Sequence, residues 1–77
     1  MNDIKSAAEY IIKAVVIDSD NVEISTREEN GLTIIEVSAP PETVGQIIGK
    51  EGKIIKSIRT LLNLAFPETR YLLQIKE

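Results

Sequence analysis

Apolar residues near the start of the chain fall at Ile4, Ala7, Ala8, Ile11, Ile12, Val15 and Val16. That spacing is one stripe of an α-helix running from Asp3 to about Val16. Asn2 or Asp3 can cap its start, and the turn-forming residues Asp18-Ser19-Asp20-Asn21 end it. Lys5, Glu9 and Lys13 make a solvated charge row on the opposite face, and Tyr10 is expected to flank the core. The period then drops to two. Val22, Ile24 and Thr26 alternate with Glu23, Ser25 and Arg27, the pattern of a half-buried strand. Asn30-Gly31 is a strong hairpin signal, because both residues tolerate positive φ. Beyond it, Leu32 to Ala39 carries Thr33, Ile35, Val37 and Ala39 on one face and Leu32, Ile34, Glu36 and Ser38 on the other. Aliphatic residues on both faces point to a central strand.

Pro40-Pro41 stops that strand, and Pro41 suits the first position of a short helix ending near Ile48 that buries Val44, Ile47 and Ile48. Gly45 lies inside this helix at a cost of about 1 kcal/mol relative to alanine. Close packing against a neighbouring element would explain it, and so would contact with a ligand backbone. After Gly49 to Gly52 the clearest helix of the chain begins, with Ile54, Ile55, Ile58, Leu61, Leu62 and Ala65 on one stripe. Phe66-Pro67-Glu68-Thr69 turns the chain into a last strand, where Tyr71, Leu73 and Ile75 alternate with Leu72, Gln74 and Lys76. The order is α-β-β-α-α-β. The helical pair is long enough to cross over and bring the last strand parallel to the second. The expected architecture is α+β: a three-stranded mixed sheet with three helices on one face.

Seventy-seven residues without linker, repeat or low-complexity segment imply a single domain over residues 1–77. A domain of that size buries only about 60% of the unfolded chain's surface. Cysteine and histidine are both absent, which removes disulfides, thiol nucleophiles, imidazole chemistry and nearly every zinc site. No nucleophile and base can be placed together, so an enzyme is not expected, and neither is a metal or cofactor. Without a signal peptide or an apolar span, the expected location is the cytoplasm. The net charge of −3 opposes nucleic-acid binding, but its distribution does not. Residues 1 to 31 carry seven Asp/Glu against three Lys/Arg, whereas Val44 to Thr60 carries Lys50, Lys53, Lys56 and Arg59 against Glu51 alone.

That positive charge surrounds Gly49-Lys50-Glu51-Gly52. Two glycines two residues apart make a tight turn with exposed backbone, and a helix starting at or just after Gly52 presents free N–H groups to an anion. Lys53 and Lys56 in its first turns oppose the helix dipole unless an anion joins them. A nucleotide-hydrolase phosphate loop does not fit: only three residues separate Gly45 from Gly49, and glutamate follows Lys50.

Ile47-Ile48-Gly49-Lys50-Glu51-Gly52 followed by Ile55 and Ile58, set in this element order, resembles a KH domain of the type II, prokaryotic topology. The resemblance covers the whole chain. The Pro41-Glu42, Val44-Gly45 and Ile55 to Leu61 segments resemble the small bacterial members most. The resemblance implies a loop, residues 49–52, that clamps the backbone of about four single-stranded RNA nucleotides. Lys50, Lys53 and Lys56 would supply charge, with Ile48 and Ile55 helping to form the groove for the bases. It further implies self-association as a homodimer and pairing with a larger, Jag-like KH-containing protein. A role as RNA chaperone or post-transcriptional regulator linked to cell shape and division goes with it. Glu51 departs from what phosphate binding favours. The competing expectation is a protein-interaction or dimerisation module with little RNA affinity.

Overall fold

The computed structural model describes residues 3 to 76. Helix α1, Ile4–Val15, starts where Asp3 accepts a hydrogen bond from the Ser6 N–H at 2.8 Å. That bond holds the Asp3 carboxyl below its ordinary pKa, as expected of an N-cap carboxylate. Asn2, the alternative cap, lies outside the described residues. The helix buries Ile4, Ala7, Ala8 and Ile12. Tyr10 does not flank the core: it is 66% exposed, one position off the stripe on the outer side of the helix. A single 3-10 turn, Ser19–Asn21, follows and leads to Val22, which is buried ahead of the strand rather than within it.

Strands β1 (Glu23–Glu29) and β2 (Leu32–Ser38) form an antiparallel hairpin closed by Asn30 and Gly31. Both turn residues have positive φ, 53° and 81°, which matches the right-handed twist of the strands they join. Helix α2 (Pro41–Ile48), a 3-10 turn (Lys50–Gly52) and helix α3 (Lys53–Ala65) carry the chain across to β3 (Tyr71–Lys76). There it pairs parallel with β2, giving the order β1-β2-β3 expected from the sequence.

Register places Ile24, Val37 and Ile75 side by side, and likewise Thr26, Ile35 and Leu73. This face of the sheet packs into one core with Ile12 of α1, Val44 and Ile47 of α2, and Ile55, Ile58 and Leu62 of α3. Among the described residues no helix packs on the other face, yet Ile34 on it is only 4% exposed. Its direct cross-strand neighbours are Arg27 and Leu72. The Arg27 guanidinium bonds Glu29 at 3.0 Å and Glu36 at 2.8 Å, so its alkyl stem is fixed beside Ile34.

Two expectations about helix faces are corrected. Helix α2 buries Thr43, Val44 and Ile47, leaving Ile48 37% exposed. The α3 stripe narrows to Ile55, Ile58 and Leu62, with Leu61 50% and Leu64 75% exposed. In both helices the sheet below is only three strands wide, which leaves the flanks uncovered.

Candidate nucleic-acid interface

Helix α2 ends because Gly49 leaves the helical region, at φ 78° and ψ 174°, while its N–H still donates to the Gly45 carbonyl at 2.9 Å. No other residue fits there. A Cβ on Gly49 would stand 2.6 Å from Ile54 Cγ1 and 2.9 Å from Ile54 Cβ, and the positive φ would strain any side chain besides. Glu51 (φ 60°) and Gly52 (φ 74°) are left-handed in turn, so three residues of the four-residue loop have positive φ. The Gly52 N–H closes the turn onto the Gly49 carbonyl at 3.1 Å. A Cβ at Gly52 would meet only Ile55 Cγ2, at 4.0 Å, so conformation alone calls for glycine at that position.

The chain re-enters a helix at Lys53 with no side-chain cap and no acidic residue in the first turn. The Lys53 N–H donates to the Lys50 carbonyl across the 3-10 turn, and no side chain caps the amides that follow it. Lys50, Lys53 and Lys56 are all exposed. The ion pairs among the described residues are Lys13–Glu9, Arg27–Glu29 and Arg27–Glu36, so none of the loop lysines is engaged.

Beside the loop runs an apolar strip of α2. Pro41, Gly45 and Ile48, spaced by four and three residues, share one exposed flank that leads to Gly49. A Cβ on Gly45 would meet nothing within 4 Å, which overturns close packing as the reason for that glycine. Of the two aliphatic residues expected near the bases, Ile48 stands at the surface, whereas Ile55 lies in the core at 8% exposure and supports the loop from below. Ile54, not singled out from the sequence, is half-buried against Gly49 and fixes the loop's shape. Its signal was its position, two residues after Gly52 on the edge of the α3 stripe.

Tyr71 packs against the core, and its hydroxyl donates to Asn63 Oδ1 at 2.9 Å, with the Arg59 carbonyl at 3.3 Å. Burial raises its pKa above the ordinary tyrosine value. Two surface concavities lie elsewhere, one containing Glu23 and Glu36, the other Ser6, Glu9, Tyr10 and Lys13. Their carboxylates make them poor sites for an anion, whereas the open loop can receive an extended polyanion. No group of three or more metal-ligating side chains occurs among the described residues. Nor is any helix among them long and apolar enough to cross a membrane.

Residues 5–75 match the family model described as KhpA/KhpB, KH domain. The chain belongs to the KhpA/KhpB KH-domain family. Its mixed three-stranded sheet and helix order are those of the type II KH fold. RNA-binding protein KhpA of Borreliella burgdorferi is 35% identical over 68 residues, spanning 88% of this chain and 83% of the relative. RNA-binding protein KhpA of Treponema pallidum is 37% identical, covering 86% and 85% of the two chains. RNA-binding protein KhpA of Caldanaerobacter subterraneus is 42% identical over 55 residues, 71% of this chain and 73% of that one. No solved structure matches the chain.

Proposed function

We propose that this chain is a single-domain, non-enzymatic protein that binds single-stranded RNA through the loop at residues 49–52. The carrying observation is local: three exposed, unpaired lysines gather around a glycine turn in a protein whose net charge is −3. Lys50, Lys53 and Lys56 attract the backbone, and the Gly49 and Gly52 positions let it approach closely. Ile48 and the bare flank at Gly45 offer an apolar wall for bases, with Ile55 holding that wall from within. Affinity from a single copy is modest, because Glu51 offsets part of the lysine charge. A homodimer, or pairing with a KhpB/Jag-like protein, raises it through avidity. Membership of the KhpA/KhpB family and the names of the relatives support this reading. Action in the cytoplasm as an RNA chaperone or post-transcriptional regulator, linked to cell shape and division, is part of the same proposal.

The second reading, an interaction module with little RNA affinity, is favoured by Leu61 and Leu64, two large apolar side chains exposed on the outside of α3. One pair of measurements separates the two. Fluorescence anisotropy with labelled single-stranded RNA is expected to give salt-dependent binding for the wild type. The double variant Lys50→Asp/Glu51→Asp should lose it with an unchanged circular dichroism spectrum. Unaltered affinity in the variant would remove the loop as the binding site. An absence of salt-dependent binding in the wild type, with self-association in analytical ultracentrifugation, would establish the interaction module instead.

A further inference from the structure

Glu51 is not explained by phosphate binding. It is the only carboxylate between Val44 and Thr60, among Lys50, Lys53, Lys56 and Arg59, and it opposes their attraction for a polyanion. It also occupies φ 60° and ψ 23°, a left-handed conformation that glycine, asparagine or aspartate would hold more easily. Its surroundings supply no structural purpose. The side chain is exposed, belongs to none of the ion pairs among the described residues and does not cap α3.

An ionised carboxylate can only accept hydrogen bonds. A phosphodiester offers it no donor. The one donor that a sugar-phosphate backbone carries is the ribose 2′-hydroxyl, present in RNA and missing from DNA. We infer that Glu51 accepts a hydrogen bond from a 2′-hydroxyl of the bound strand and thereby makes the loop select RNA. This rests on the RNA-binding reading above. The lysines draw in any nucleic-acid backbone, Glu51 weakens every such encounter electrostatically, and only a ribose strand returns the loss through a charge-assisted hydrogen bond. Specificity for the sugar, independent of base sequence, is what the arrangement achieves.

The test uses anisotropy with labelled oligo(U) and with the same oligonucleotide carrying 2′-fluorine, which keeps the sugar pucker and the base donors but lacks the hydroxyl. The wild type should prefer the natural strand roughly ten-fold, the size of one charge-assisted hydrogen bond. Glu51→Gly, which relieves the backbone, should bind both strands with a ratio near one. Lys50→Ala should weaken both strands and keep the preference. If Glu51→Gly tightens both but retains the wild-type ratio, Glu51 is merely an affinity brake and the inference fails. Loss of the preference in Lys50→Ala would overturn the assignment to Glu51. A wild type that binds both strands equally overturns this inference alone, and one that binds neither overturns the RNA-binding reading with it.

Discussion

Three glycines within eight residues carry three different physical demands. At Gly49 both space and conformation exclude a side chain, since a Cβ would collide with Ile54 at a φ of 78°. Gly49→Ala should therefore destabilise the fold by at least about 1–3 kcal/mol, the cost of a positive-φ, extended-ψ backbone that only glycine readily adopts, before any collision is counted. At Gly52 only the backbone matters, and at Gly45 neither does, because that residue is exposed with nothing within 4 Å. Gly45→Ala is accordingly expected to raise stability by about 0.5–1 kcal/mol, a rise in Tm of several degrees in a domain of this size. Gly45→Leu should keep the fold but lower RNA affinity, by placing bulk on the flank beside Ile48. Thermal unfolding and anisotropy on the same two variants check both parts, and a less stable Gly45→Ala would contradict the open space around that position. A helical glycine that stability does not need is thus an argument for the surface it leaves bare.

At the scale of elements, most boundaries were legible because each break had its own chemistry. Asn30-Gly31 closes the hairpin, Pro40-Pro41 separates β2 from α2, and the loop glycines divide α2 from α3. The faces were less legible. Period alone counts Leu61 and Ala65 with Ile58 and Leu62, but a stripe is buried only as far as a partner extends over it, and sequence does not state the width of the partner. Tyr71 illustrates the same point: alternation put it on one face of β3 with Leu73 and Ile75, but only the fold brings its hydroxyl to Asn63 and Arg59 of α3. That junction has a pH signature. Burial raises the Tyr71 pKa from its ordinary value of 10.0, so the fold favours the neutral phenol. Its contribution is fully present below the unfolded value and is lost as pH rises through the higher folded one. Stability of the wild type should fall over this alkaline range, and Tyr71→Phe should flatten that part of the decline while costing up to about 1 kcal/mol at neutral pH from the lost hydrogen bond. Urea unfolding across the alkaline range measures both effects, and an identical decline in the variant would assign it to other groups.

For the molecule as a whole, charge is divided between ends of the sequence and gathered by the fold. Most of the acidic excess belongs to the turn after α1, with Asp18 and Asp20, and to β1, with Glu23, Glu28 and Glu29 against Arg27, while Lys50, Lys53 and Lys56 meet at the junction of α2 and α3. A protein with net charge −3 should repel a polyanion at long range, and the repulsion is screened beyond a Debye length of about 8 Å at physiological salt. Only contacts at the loop then remain, and they are countable. If the three lysines neutralise three phosphates, the logarithm of the association constant should fall with the logarithm of salt at a slope of roughly −2, from about 0.7 per phosphate on a single strand. Lys53→Ala should reduce that slope by about 0.7, whereas Lys13→Ala on α1, whose partner is Glu9, should leave it unchanged. A shallow slope that none of the loop lysines alters would mean that the acidic remainder of the surface governs the encounter, and that the local gathering of charge has no part in it.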